Sequence, residues 1–240
     1  MKEKDLAFLY ECSNEELKLL VDFMIYDQDG KRRWTEELSS SKDFTENYPD
    51  NLVKCVPCVI DELEKFGGNS FKNFFRGHGV SYREILENVC NRLDVNYNKG
   101  IDTPLLEYYL LQKILLMSID KMTEEDVKHL SKHYTKDMLK EQIGLLKAGS
   151  PLFIRLITMI IANLAKKWGI KQAAALATRF AGSRAFVVFT GPIGWVLTSL
   201  WTLYDFAGPA YRVMIPCTIT IAYLRIVSEK TEDELNDILK

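Results

Sequence analysis

Two cysteines three positions apart, Cys55-Val-Pro-Cys58, have the spacing that clips zinc or makes a redox dithiol. Zinc needs two more ligands, and His129 and His133, four apart on one helix face, complete a Cys2His2 set. Against both uses, Val53, Val56, Val59 and Ile60 surround the thiols with apolar neighbours. That suits two buried, reduced cysteines and two surface imidazoles on a different helix. A second cluster runs from Phe66-Gly67-Gly68-Asn69-Ser70 to Arg76-Gly77-His78-Gly79. Glycines ahead of a helix expose amides that can hold an anion, with Gly67, Gly68, Ser70, Lys72 and Arg76 as the ligand candidates. His78, flanked by glycines, is the best general acid or base candidate in the chain. No phosphate-loop or dinucleotide fingerprint accompanies it, and no acid is fixed by spacing to orient the imidazole. A pair of glycine-based turns between helices explains the same residues without chemistry. Asp27, Asp29, Gly30 and Glu36 sit in part on a calcium-loop pattern, but Ile25 stands where the first carboxylate belongs. That segment reads as a turn.

The elements that must carry these residues are helices. Ser13-Asn-Glu-Glu16 is a capping box for a helix through Leu17, Leu20, Val21 and Met24. Thr35 is placed to cap a short acidic helix near 36–41. Asp50 opens a segment to Phe66, bent or restarted at Pro57, because proline lacks a helix donor and clashes one turn back. Gly67-Gly68 stops it. Ser81 and Glu84 open a helix through Ile85, Leu86, Val89 and Leu93, and Thr103-Pro104 opens a strongly apolar one to about Ile119. Thr123 starts another reaching Lys147, with Val127, Leu130, Tyr134, Met138 and Leu139 on one face. Ala148-Gly149 is a junction, and Ser150-Pro151 begins a basic helix to Trp168. The strand signal is weak throughout, so the class is all-α.

Charge is distributed unevenly. Residues 1–150 carry 21 Lys and Arg against 27 Asp and Glu, whereas residues 151–228 carry eight basic residues against the single acid Asp205. Such a split marks a change of environment or partner. At 47% hydrophobic and 27% charged, with 13 Gly and 7 Pro, the chain is not broadly disordered. Residues 185–204 contain no charge but are notched at Gly191-Pro192; Val213–Leu224 is uncharged again, between Arg212 and Arg225. Joined around Gly208-Pro209, the two runs predict an apolar C-terminal helical hairpin within a multi-helix bundle. It has two homes, the core of the bundle or a membrane. Spanning a bilayer takes roughly 20 apolar residues, which the first run reaches only across its proline and the second does not reach. Trp195 and Trp201 suit a core or an interfacial belt equally, while Arg179, Arg184 and Arg212 could meet anionic lipid. Nucleic acid fits poorly, since the cations alternate with apolar stretches and the pI is near 6.0. Met1-Lys-Glu-Lys-Asp5 lacks a signal-peptide core, and five cysteines, mostly in apolar runs, suit reduced thiols. The expected place is the cytoplasm or the inner face of a membrane.

Three blocks resemble the uncharacterised bacterial YaaW-like family. They are Asp5 to Ser13 with Asp27-x-Asp-Gly30 and Thr35-Glu-Glu-Leu38; Phe66 to Ser70 with Arg76 to Gly79 and Tyr82 to Leu86; and Gly191-Pro-Ile-Gly194 with Asp205 to Val213 and Ile215-Pro216. The first looks like a short domain of unknown function at the front of such proteins. Some members of that family are labelled as similar to ubiquinol–cytochrome c chaperones, but no chaperone motif stands here to carry over. The expectation is three regions, 1–45, 46–149 and 150–240, in a non-enzymatic protein without cofactor that binds an unknown protein partner, in assembly or quality control near a membrane. The alternatives are a membrane-active effector that inserts 185–224, and an enzyme that uses His78 with Arg76.

Overall fold

Leu6 and Leu9, three apart, lie on one face of a helix with three residues per turn, and the chain opens as a 3-10 helix, Lys4–Glu11, with both leucines buried. The computed structural model describes residues 3–27, 29–33, 37–68, 80–130, 135–170 and 210–239. Helix α1, Asn14–Ile25, follows the expected capping box: Ser13 Oγ accepts from the Glu16 amide while Glu16 accepts from the Ser13 amide. The turn after it is closed by Asp27, whose Oδ1 accepts from the Asp29 and Lys31 amides at 3.0 and 2.8 Å, with Gly30 at φ +71°.

The helix expected near 36–41 is corrected. Leu38–Ser40 is a single 3-10 turn, and Ser41 caps a separate helix α2, Lys42–Asn47; Thr35 and Glu36 lie outside the described residues. Leu38 and Phe44 must both be buried, and six residues apart they cannot share one helical face. Asn14 of α1 then pins the next turn, donating to the Pro49 carbonyl and accepting from the Leu52 amide. The restart at Pro57 is observed: a 3-10 turn Leu52–Cys55 leads into α3, Val56–Gly68, with Pro57 in its first turn. Gly67 does not stop α3 but lies inside it, because a Cβ there would come within 2.3 Å of Val80 Cγ2 and 2.6 Å of Ile85 Cγ1.

Ser81 caps α4, Tyr82–Arg92. The cap of α5, Thr103–Lys121, is Asp102 rather than Thr103; its carboxylate accepts from the Leu105 amide at 2.9 Å and leaves the Thr103 hydroxyl for another partner. The single helix expected over 123–147 is two: α6, Glu124–Leu130, and α7, Lys136–Leu145, the latter with its own extended cap residue, Thr135. This lets α7 fold back along α5, where Lys136 Nζ donates to the Asp120 and Met122 carbonyls and Gln112 Nε2 to that of Ile143. Helix α8, Pro151–Lys167, ends at Gly169, whose φ of +64° lets the Ile170 amide reach back to the Ala165 carbonyl. The acidic tail is α10, Glu232–Leu239, docked on α8 through Leu235, Leu239 and a bond from Arg155 Nε to the Ile238 carbonyl.

Helix α9, Tyr211–Ser228, runs through the middle. It packs against the opening 3-10 helix, α1, α3, α4, α5 and α8, and every residue from Val213 to Leu224 is buried. A helix that is apolar all round belongs inside. Its two buried threonines stay satisfied, Thr218 donating to the Met214 carbonyl and Thr220 to that of Pro216. One limb of the expected hairpin is therefore the axis of the core; the other, residues 185–204, lies outside the described residues. The core is continuous from Leu6 to Leu239 and crosses positions 45 and 149. Among the described residues there is no strand beyond an isolated Tyr26–Arg32 bridge, and no helix is long and apolar enough to cross a membrane.

The close approach at Gly67 gives a first expectation. Gly67→Ala should lower stability by about 1–3 kcal/mol through overpacking, read as a fall in the urea midpoint with unchanged helical content.

Candidate functional site

Helix α5 is apolar from Leu105 to Leu111 except at Glu107, and α9 is uncharged from Val213 until Arg225. Both helices must be buried, so these two charges are carried inside and can be accommodated only by meeting. Arg225 Nε donates to Glu107 Oε2 at 2.5 Å and Nη2 to Oε1 at 3.1 Å, a bidentate pair with the carboxylate only 1% exposed. Tyr82, at the start of α4, donates its hydroxyl to Glu107 Oε1 at 2.7 Å. The opening helix closes the cluster. Arg225 Nη2 donates to the Asp5 carbonyl at 2.5 Å, Thr103 Oγ1 to Asp5 Oδ2 at 2.6 Å, and the Tyr82 amide to Glu3 Oε2 at 3.0 Å. The guanidinium also lies over the Phe8 ring, 4.3 Å from its centroid.

Burial pushes the Glu107 carboxyl above its ordinary value, while the Arg225 and Tyr82 hydrogen bonds pull it back. On Arg225 burial opposes the charge, but the Glu107 bonds and carboxylate outweigh it and hold the guanidinium above its usual value. The short bidentate geometry is that of an ion pair. Burial, and then Glu107, drive the Tyr82 phenol well upward, so it stays a donor.

A cavity of about 100 Å³ lies over this pair, walled by Pro104, Tyr108, Ala148, Gly149, Ala222 and Ile226, with Glu229 also lining it. Three exposed leucines stand next in sequence to residues at or near it. Leu105, 38% exposed, follows Pro104; Leu145, 72% exposed, precedes Leu146, whose carbonyl accepts from Tyr108; Leu152, 48% exposed, precedes Phe153, which packs on Tyr108.

The residues singled out by motif are placed elsewhere or not at all. Gly67 and Gly68 form the last turn of α3, and Ser70, Lys72, Arg76 and His78 lie outside the described residues. So do Arg179, Arg184, Trp195 and Trp201, while Arg212 is exposed in the first turn of α9. Cys55 is buried and Cys58 half-buried; Cys58 Sγ donates to the Cys55 carbonyl at 2.9 Å and Cys55 Sγ to that of Asp43 at 3.6 Å. His129 stands on α6, and His133 lies outside the described residues. Among the described residues no group of three or more His, Cys, Asp or Glu could hold a metal ion. Burial pushes every thiol up: Cys55 to about 11, Cys12, Cys90 and Cys217 to about 12, and Cys58 upward. A thiol in that range is a poor nucleophile at neutral pH.

Fold and site together define an all-α protein built around a buried ion pair beneath a small apolar-walled cleft. Residues 2–34 match a family model described as Domain of unknown function (DUF3944). Over 241 residues the chain is 35% identical to a UPF0174 protein of Helicobacter pylori strain J99, covering 97% of this chain and 94% of that one. It is 34% identical over 203 residues to a UPF0174 protein of Helicobacter pylori strain 26695, and 29% identical over 236 residues to the UPF0174 protein YaaW of Escherichia coli K12, covering 97% of this chain and 98% of that one. The chain belongs to the UPF0174 family. No solved structure matches it.

Arg225→Met should cost about 3–5 kcal/mol by stranding a buried carboxylate, and adding Glu107→Gln should recover part of that loss while keeping an acceptor for Tyr82; urea unfolding of the single and double variants measures both. The thiols set an alkaline limit. Their folded values lie above the ordinary 9.0, so the folded chain keeps protons that the unfolded chain releases. Their stabilisation is full below pH 9 and is lost as pH rises toward 12; Tyr82 acts in the same sense. The urea midpoint should fall between pH 8 and 10.5, and a level midpoint would contradict buried thiols.

Proposed function

We propose that this protein is a non-enzymatic, protein-binding factor of the assembly or chaperone type, and that its contact surface is the apolar rim of the α5–α8–α9 cleft. The observation that carries the reading is that Leu105, Leu145 and Leu152, three of the six large apolar side chains exposed among the described residues, stand within four positions in sequence of Pro104, Ala148 and Gly149, which line the cleft. The titratable groups beneath speak for binding rather than catalysis. Both Glu107 oxygens are taken by Arg225 and Tyr82, so the carboxylate at the cavity floor is already engaged as a hydrogen-bond acceptor. An acid lines the cleft, Glu229, and three more, Glu232, Asp233 and Glu234, follow it closely in sequence in the first turn of α10, which docks on α8. The partner this fits is a protein segment, most simply an amphipathic helix, with an apolar stripe flanked by Lys or Arg.

The membrane-inserting alternative gains nothing from α9. Withdrawing that helix into a bilayer would strip the core from α1, α3, α4, α5 and α8 at once.

A photo-crosslinking residue at Leu145, in cells of the native host, should give one discrete adduct that the same residue at exposed Glu46 on α2 does not. The adduct should vanish with Leu152→Asp, and its mapped peptide should carry basic residues beside an apolar stripe. Equal labelling at both positions, or a mapped peptide without basic residues, would remove the reading.

A further inference from the structure

Each guanidinium edge that presents Nε–H and Nη2–H is a fork that matches two oxygens of a carboxylate or phosphate. In Arg225 that edge grips Glu107. Arg33 presents the same edge to nothing: its Nε and Nη2 are both buried, and neither has a hydrogen-bond partner. An orphaned neutral donor in the interior costs about 1–3 kcal/mol, and one on a charged group costs more, so such a fork is a strong demand for an acceptor.

The surroundings do not meet that demand. Arg33 is held at the end of the turn after α1, where its amide donates to the Ile25 carbonyl at 2.9 Å and Tyr26 bridges to Arg32. Asp27, the acid within range of its charge, spends Oδ1 on the Asp29 and Lys31 amides. From α9, Cys217 faces it as a buried protonated thiol and Arg212 adds a second positive charge to the same region. Burial pushes the Arg33 guanidinium below its ordinary value, Cys217 and Asp27 opposing that push and Arg212 adding to it. Among the described residues, neither Asp27 nor any other group gives the Arg33 Nε or Nη2 a hydrogen bond.

We propose that the Arg33 fork is an oxyanion-binding site, where a phosphate or carboxylate group of a ligand is gripped in the way Glu107 is gripped by Arg225, between the Asp27–Arg33 turn and α9. The site is separate from the cleft and would stand if the protein-binding reading fell. It falls at the end of residues 2–34, the stretch matched by the short family model, and gives that stretch a ligand-binding role.

Inorganic phosphate titrated into the full-length chain at constant ionic strength, with chloride as the control salt, tests this. Thermal melting should rise saturably by roughly 2–4 °C. An acetate arm distinguishes the sources: a response to both salts marks a carboxylate-tolerant site, a response to phosphate alone a phosphate site. Arg33→Lys keeps the charge but loses the fork, and should raise the half-saturating phosphate concentration at least about tenfold. Arg33→Met should abolish the response, and in chloride alone it should melt no lower than the wild type, because an unpartnered buried charge has been removed. The proposal is overturned if phosphate moves no melting curve, if Arg33→Met responds like the wild type, or if Arg33→Met melts well below it in chloride. Should Arg33→Met fail to fold, the wild-type titration and Arg33→Lys decide the matter.

Discussion

The arrangement depends on one buried charge meeting another across 118 residues of sequence. Taking a carboxylate and a guanidinium out of water costs several kcal/mol each, and only close bidentate geometry with further hydrogen bonds offsets that cost. Glu107 and Arg225 have both, and the additional bonds come from Tyr82, Asp5 and, through the same cluster, Thr103 and Glu3. A pair of this kind adds little net stability beyond what two apolar residues would give. It does fix register, since sliding α9 by one turn against α5 would leave both charges inside and alone. The opening 3-10 helix, Lys4–Glu11, is held by the same guanidinium, so it and α9 are positioned by one group.

The burial of helix α9 explains why residues 213–224 are so apolar. Surrounded by the opening helix, α1, α3, α4, α5 and α8, it has no outward face, and its threonines turn their hydroxyls onto their own helix. The unequal charge along the sequence does not separate two bodies: acidic front helices wrap a helix drawn from the basic back part, and one hydrophobic core runs through both. The apolar run at 213–224 goes into close packing between helices.

Membership of the UPF0174 family places the chain among proteins of matching length without bringing a reaction with it. Among the described residues the thiols are raised by burial, Glu107 is fully engaged, and two of the exposed large apolar side chains, Leu145 and Leu152, flank the junction at Ala148-Gly149 in sequence. A buried guanidinium edge at Arg33 has no hydrogen-bond partner.

Capping chemistry was legible directly, because a cap is a local bond: Ser13, Ser81 and Gly149 mark their turns within four residues of where the bond forms. All-helical class and the restart at Pro57 follow for the same reason. Where neighbours at a distance choose between local options, the sequence was silent. Thr103 looked like a cap until Asp5, 98 residues away, claimed its hydroxyl; the run from 123 looked like one helix until α7 turned back to lay its lysines on the end of α5. The isolated Glu107 and the Arg225 that ends an uncharged run were visible as oddities, but nothing along the chain says that they face each other. Residue type and short spacing determined which helices form and where they begin; only tertiary packing decided which charges pair, which glycine is a contact rather than a stop, and which arginine is left without an acceptor. Hydrogen bonds within a turn depend on neighbours in sequence, whereas desolvation and charge pairing depend on neighbours in space.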